Sequence, residues 1–298
     1  MFMLLIVGYI CFKCKIIDQA GNKAFSTILL LVITPAAILL VYQRNEFTTQ
    51  MARLLAVAFI AAICSHMMMI GIAKLILIHQ RTANLGIEQF SIVYSNSGFI
   101  GIPLISATIG AEGVFFLSAY IAIFNLFLWT HGVSSIKGEF SFKNIKNGIF
   151  SPVFLVTMVA IVLYFIRFIF PEVILRGVEF LANTMTPLAM LVAGFSIAQV
   201  DLKKMITNRR IYWIVFVKGI IVPLAITFVM TLFNVNTTVA LTMIIAASCP
   251  TALGGAMMAM NFNKDYKYAT AIFAVSTLLA MITIPAVVFI AEMLIITR

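Results

Sequence analysis

The chain has 298 residues, of which 63% are hydrophobic and only 10% are charged, and its formal net charge is +10 at pH 7. Soluble domains carry about 25% charged residues, so this composition excludes a soluble globular protein and indicates an integral membrane protein. The positive charge does not indicate nucleic-acid binding, because the longest polar interval, residues 134–148, is too short to form a basic soluble domain.

Ten apolar stretches follow one another along the chain, and each is a candidate membrane-spanning helix. Crossing a bilayer takes about 20 apolar residues, so the first stretch is short. We expect no cleaved signal peptide, because no basic segment precedes the first stretch and no small-residue cleavage site follows it. The sequence predicts an all-α integral membrane protein with spans at roughly 1–12, 26–43, 53–78, 88–109, 113–133, 149–168, 172–198, 210–232, 236–260 and 266–296.

His66 lies near the middle of the third span. Ionisable side chains at that depth are rare and usually functional, and an imidazole changes its charge near neutral pH. We therefore consider His66 a possible proton carrier. The alternative is a neutral histidine that hydrogen-bonds to a neighbouring helix.

The fourth span contains the sequence YSNSGFIGIPL at residues 94–104. Pro103 has no backbone N–H and clashes with the preceding turn, and the nearby glycines tolerate an unwound path. Lipid cannot satisfy the freed backbone groups, so a broken helix at this depth is tolerated only where it lines a cavity. The candidate substrate-binding residues of this segment are Asn96, Ser97, Gly98 and Pro103.

A second broken span lies in the other half of the chain. The sequence ASCPTALGG at residues 247–255 places Pro250 within the ninth span. Paired breaks in corresponding positions of two halves are typical of a transporter's substrate site near the bilayer midplane. The candidate substrate-binding residues here are Ser248, Pro250 and Thr251. Asn125 in the fifth span, a buried amide, is a further candidate. Each polar member can instead form a helix–helix hydrogen bond.

Two pairs of sequences indicate an internal repeat. ITPAAIL at residues 33–39 resembles MTPLAML at residues 185–191, 152 residues later, and Pro103 and Pro250 are 147 residues apart. Because five spans is an odd number, the second repeat enters the membrane from the opposite side, and the broken spans four and nine should cross. The predicted units are a first repeat, a cytoplasmic loop and an inverted second repeat, at residues 1–133, 134–148 and 149–298.

Lys218 is a lysine placed deep within the eighth span. It lies eight residues after Arg210, or about 12 Å along the eighth span from its cytoplasmic end. One interpretation is that its side chain extends to the membrane surface. The other is that it supplies a positive charge to the substrate, so Lys218 joins the candidate substrate-binding residues.

The acidic residues all lie in loops or near the ends of spans, so none is placed at mid-depth to hold a cation. Helices that restart after a break present N-termini, which attract anions. The sequence therefore favours an anionic substrate. It contains no recognisable metal-ligand set, nucleotide loop or nucleophile–base pair, so we expect no metal, no cofactor and no enzymatic activity.

The distribution of basic residues predicts the orientation. Alternate loops carry 13 Lys and Arg residues on one side of the membrane and 5 on the other. The richer side is expected to be cytoplasmic, which places the loop at 134–148 inside the cell and, with ten spans, both termini outside. We expect a multi-pass protein of the cytoplasmic membrane.

Three motifs resemble the auxin efflux carrier family. They are NSGFIGIPL at residues 96–104, CPTA at residues 249–252 and the Thr-Pro pair of the second span. That family includes bacterial malate and malonate permeases and plant PIN-type carriers, and the resemblance covers essentially the whole chain. It implies a fold similar to bile-acid symporters and sodium/proton antiporters, with spans 1, 2, 6 and 7 as a scaffold and spans 3–5 and 8–10 as a transport core. It also implies a homodimer that moves small organic anions. One departure lies in the third span, where plant members carry an acidic group and this chain has Ser65 and His66.

We therefore predict a secondary active transporter that moves a small mono- or dicarboxylate, such as malate, by alternating access. One alternative is a channel, although no selectivity-filter motif is present. The other is an ion-coupled symporter or antiporter with a different substrate. The expected partners are the organic anion, membrane lipid and a second copy of the chain, with no nucleic acid.

Overall fold

The computed structural model describes residues 2–80, 82–139, 142–199 and 208–296, and these ranges are helical apart from short connections. The first and last residues of the chain, which are predicted to lie outside the cell, fall outside the described residues. In the described ranges the helices are α1 (Phe2–Lys13), α2 (Gln19–Arg44), α3 (Thr49–Leu77), α4 (Leu85–Val93), α5 (Ser97–Thr108), α6 (Ala111–Lys137), α7 (Phe142–Ile149), α8 (Pro152–Phe165), α9 (Glu172–Ala198), α10 (Arg209–Leu232), α11 (Thr237–Ser248), α12 (Gly254–Asn261) and α13 (Tyr266–Ile296).

Six of the described helices are long and apolar enough to cross a membrane, namely α2, α3, α6, α9, α10 and α13. Four further apolar helices, α1, α5, α8 and α11, are shorter, with 10–17 residues each. The all-helical, multi-pass membrane character predicted from the sequence is therefore confirmed. The arrangement as ten spans in two inverted repeats stays a prediction.

Three of the apolar helices, α2, α5 and α10, contain a widened, π-helical turn that ends two residues before a proline. The turns at Leu29–Ile33, Ser97–Gly101 and Val217–Ile221 precede Pro35, Pro103 and Pro223. Proline cannot donate to the carbonyl four residues earlier, and its ring clashes with that carbonyl. Hydrogen bonds to the fifth preceding residue, such as that from Ile102 N–H to Ser97 C=O, relieve the clash without breaking the helix.

Glycines allow α1 and α9 to pack with their backbones in contact. A Cβ atom added at Gly8 would lie 2.4 Å from the carbonyl oxygen of Leu191, and one at Gly194 would lie 2.2 Å from that of Leu5. Small residues at a membrane helix interface permit this close approach. Any larger side chain at either position would force the two helices apart.

The other helices pack in two sets of neighbours. α2 lies against α8 and α9, whereas α3 lies against α6, and α10 and α11 lie against α13. α11 also contacts α3 and α6. Assignment of these sets to a scaffold and a mobile core stays a prediction.

Candidate functional site

The fourth apolar segment is interrupted between α4 and α5. Its α-helix ends at Val93, Tyr94 is extended (φ −94°, ψ 110°), and helix resumes at Ser97. The break therefore lies at residues 94–96. Pro103, which we predicted to cause it, lies inside α5 and follows the widened turn at Ser97–Gly101. This is a correction to the sequence-based position of the break.

The ninth apolar segment is interrupted between α11 and α12, and here a proline does stand in the break. Cys249 is extended (φ −56°, ψ 147°) and precedes Pro250. A residue before proline is forced out of the helical region by its ring, which explains why α11 ends at Ser248. Helix resumes at Gly254.

The two breaks cross and satisfy each other's backbone groups. Asn96 N–H donates to the carbonyl of Pro250 at 2.7 Å, and Ala252 N–H donates to the carbonyl of Tyr94 at 2.8 Å. The pair forms an isolated antiparallel bridge that places Ser95 opposite Thr251. Because lipid offers no hydrogen-bonding partner, this mutual pairing is what makes the two unwound segments tolerable inside the membrane.

Side chains and a third helix fasten the crossing. The hydroxyl of Thr251 donates to the carbonyl of Ser91 at 3.0 Å, which ties the ninth segment to α4. The backbone N–H of Thr251 donates to the hydroxyl of Ser276 on α13 at 3.2 Å. The hydroxyl of Ser95 donates to the carbonyl of Ala247 at 3.2 Å, which ties the fourth segment to α11.

Lys218 lies directly behind the crossing. Its side chain is buried (1% exposed), and Nζ donates to the hydroxyl of Ser95 at 2.5 Å. The residue lies in the widened turn of α10, which changes the direction of the side chains after it. Among the described residues no Asp or Glu forms an ion pair with it. The interpretation that Lys218 extends to the membrane surface is therefore wrong.

The first turn of α5 presents polar groups that have no partner within the described part of the chain. Asn96 is the N-terminal flanking residue and makes no side-chain cap, and its Nδ2 is buried without a hydrogen bond. The hydroxyl of Ser97 is likewise buried and unpaired. Next to them, a Cβ atom at Gly98 would meet no other atom within 4 Å. Open space thus adjoins a helix N-terminus with free donors, an arrangement suited to an anion.

His66 lies in a buried aromatic environment on α3. Its Nδ1 is 2.8 Å from the carbonyl of Ala62, on its own helix, and Nε2 has no partner among the described residues. The ring centroid lies 4.6 Å from that of Tyr120, whose hydroxyl is also buried and unpaired. The ring of His66 thus retains one nitrogen, Nε2, that is free to accept a proton.

A sequence profile described as "membrane transport protein" matches residues 1–288. The chain belongs to the membrane transport protein family. An uncharacterized transporter of Methanocaldococcus jannaschii is 23% identical over 290 residues, and the alignment covers 92% of each chain. The resemblance to auxin efflux carriers is thereby confirmed.

Membership of the membrane transport protein family establishes a transporter, which is consistent with our expectation that the chain is not an enzyme. The crossing is the part of this family member in which both unwound segments, a buried cation and unpaired donors meet. We therefore treat it as the candidate substrate site.

Two of the predicted polar site residues, Ser248 and Asn125, form their hydrogen bonds within their own helices and not across the crossing. Ser248 donates to the carbonyl of Ile244 at 2.7 Å, and Asn125 donates through Nδ2 to the carbonyl of Ile121 at 2.8 Å. Both bonds stay within the residue's own helix. These side chains therefore have hydrogen-bonding partners nearby, whereas the amide nitrogen of Asn96 has none among the described residues.

Sequence reasoning missed two features near the site. Ser95 links Lys218 to the crossing, and its position next to Asn96 in the interrupted segment was the signal available. Glu88, expected merely near a span end, is buried and ion-paired with Arg210, and it accepts a hydrogen bond from Tyr268 at 2.9 Å. The charge of this carboxylate is therefore balanced by Arg210 and not by Lys218.

Proposed function

We propose that this membrane transporter is a secondary carrier of small organic anions, mono- or dicarboxylates, across the cytoplasmic membrane. The observation that carries the proposal is the buried ammonium of Lys218 at the crossing of two interrupted segments. Its charge has no paired carboxylate in the described part of the chain. A bound substrate carboxylate would supply the missing counter-charge.

The electrostatics favour an anion over a cation. A lysine at the centre of a bilayer is unfavourable by about 3 kcal/mol, and a nearby carboxylate reduces that penalty. The N-terminus of α5 adds about half a positive charge, next to the unpaired amide of Asn96. In this proposal the carboxylate binds in the open space at Gly98, next to Asn96 and Ser97. Lys218 contributes positive potential and is connected to this position through Ser95.

The transport cycle is proposed to be alternating access. Spans 3–5 and 8–10 would carry the crossing past a scaffold of spans 1, 2, 6 and 7, as in transporters built from inverted repeats. Both termini would lie outside the cell, and the predicted loop at 134–148, in which the structure has the end of α6 and helix α7, would lie inside, in keeping with the basic-residue count. A second copy of the chain would complete a homodimer through the scaffold.

Proton coupling is proposed to run through His66. Its unpaired Nε2 is the observation that favours this role, since an imidazole can take up and release a proton near neutral pH. In the alternative of an uncoupled carrier, His66 serves only to pack against Tyr120 and Phe127.

Counterflow in proteoliposomes tests the carrier proposal against the channel. Vesicles containing the purified protein and unlabelled butyrate or malate are diluted into trace labelled solute of the same kind. A carrier accumulates the label transiently against its own gradient, because inward and outward steps share one site. A channel, or a protein that does not bind carboxylates, lets the label only equilibrate or remain outside, and that result would refute the proposal.

A further inference from the structure

An apolar cavity of about 100 Å³ lies among helices α1, α5, α9 and α13. It is bounded by Leu5 of α1 and Met190 of α9 on one side and by Ile100 and Leu104 of α5 with Ala280 of α13 on the other. None of the described residues that line it is charged. The hydroxyl of Thr277, which belongs to this lining, already donates to the carbonyl of Phe273 at 2.7 Å.

The cavity begins one helical turn from the proposed carboxylate position. Ile100 N–H donates to the carbonyl of Asn96 at 3.0 Å, so Ile100 lies one helical turn after the residue with the unpaired amide. On the other wall, Thr277 follows Ser276, whose hydroxyl accepts from the backbone of Thr251. A small molecule with its carboxylate at Asn96 would therefore extend its remaining atoms into apolar surroundings.

A second carboxylate would have no partner there. Lys218 is the only buried Lys or Arg among the described residues, and it lies behind the crossing rather than in the cavity wall. An ionised group placed in an apolar cavity without a counter-charge is strongly disfavoured. This arrangement discriminates against dicarboxylates such as malate, which the sequence resemblance left as a candidate.

We propose that the preferred substrate is a monocarboxylate with a short aliphatic tail, and that the cavity receives this tail. The inference rests on the proposed carrier function and narrows its substrate class. An engineered apolar cavity of about 150 Å³ binds benzene, so by proportion a cavity of about 100 Å³ holds a tail of about four carbon atoms. Each methylene that is buried should improve affinity about fourfold until the space is filled.

The test is the thermal midpoint of the purified full-length protein in detergent with acetate, butyrate, valerate, hexanoate or malate at matched concentration and ionic strength. A ligand that binds only the folded state raises the midpoint, and at a fixed concentration the increase grows with the logarithm of its affinity. We expect the increase to grow from acetate to valerate and to stop at hexanoate, with little effect of malate. Valeramide, which lacks the charge, should have no effect.

Matched variants on one helix locate the tail. Ala280 is buried in the cavity wall, whereas Ala286 is exposed on the same helix. Ala280→Leu should abolish the advantage of valerate over acetate and keep the response to acetate, and Ala286→Leu should behave as wild type. A midpoint shift by malate that equals or exceeds that by valerate would overturn the inference and leave the anion carrier standing. If no carboxylate shifts the midpoint or undergoes counterflow, the proposed function itself fails.

Discussion

The ammonium nitrogen of Lys218 lies 2.5 Å from the hydroxyl oxygen of Ser95, at the point where the fourth apolar segment is unwound. Ser95 in turn stands opposite Thr251 of the second unwound segment. The hydroxyl of Ser95 also donates to the carbonyl of Ala247 at 3.2 Å, so a single side chain connects the cation to both interrupted segments. The buried lysine and the two helix breaks therefore meet at this residue pair.

Lys218→Gln should raise the apparent KM for the transported acid about tenfold, which corresponds to about 1.4 kcal/mol. The substitution removes the buried charge that a carboxylate would neutralise. It should not lower the thermal midpoint without substrate, because an uncompensated buried charge is itself destabilising. Uptake kinetics in proteoliposomes measure the effect. Lys74→Gln, at an exposed position of α3, is the control and should leave KM unchanged; an unchanged KM in Lys218→Gln would remove the residue from the site.

Asn96→Ala should abolish uptake while membrane levels stay near normal. The amide nitrogen of Asn96 forms no hydrogen bond with the described residues, so its loss leaves none of their groups unpaired. Asn125→Ala provides the comparison, because that amide is bound to its own helix at Ile121. Initial rates normalised to the quantity of protein in the membrane are the measurement. Comparable rates in the two variants would assign Asn96 a structural role only.

His66→Gln should flatten the dependence of transport on pH between about 5 and 8, because glutamine cannot exchange a proton. The maximal transport rate should fall by a smaller factor than the steepness of its pH dependence. The reason is that Gln can keep a polar contact with the carbonyl of Ala62, which His66 contacts. Initial rates across this pH range, with a clamped membrane potential, provide the readout. A wild-type pH profile would show that protons are not coupled through this ring.

The crossing can be tested by a disulfide between Ser95→Cys and Thr251→Cys in a chain without its native cysteines. The backbone bonds flank this pair, so the two Cα atoms form a close pair at about 4.5 Å, within the range that a disulfide spans. Mild oxidation should link the two halves, which is seen as one band after proteolysis between them. Ser91→Cys with Thr277→Cys serves as the unpaired control, and failure of the first pair to oxidise would contradict the crossing.

The apolar pattern predicted the helices well, because membrane spans are specified by local composition. The position of the first break was not predictable in the same way. Pro103 was the expected cause, but a widened turn absorbs its missing donor, and the chain unwinds at residues 94–96. Hydrogen bonding to residues 250–252 stabilises that unwinding, and such a distant pairing leaves no local signal.

The direction of Lys218 was undecidable from spacing for a related reason. A helical wheel assumes a constant turn, whereas the widened turn at Val217–Ile221 adds a residue and rotates the later part of the helix. Only the packed structure shows the side chain directed at Ser95. The polar residues that satisfy themselves within one helix, such as Ser248, look the same in sequence as Asn96, which does not.

Substrate protection of a cysteine at Gly98 is the most direct measurement of whether a carboxylate binds at the crossing. A side chain at Gly98 would enter open space, so Gly98→Cys in the cysteine-free chain should react with a small maleimide. Butyrate should slow this reaction severalfold and butyramide should not, while Gly177→Cys, exposed on α9, should react equally in both. Equal rates at Gly98→Cys with and without every carboxylate tested would contradict an anion site at the crossing.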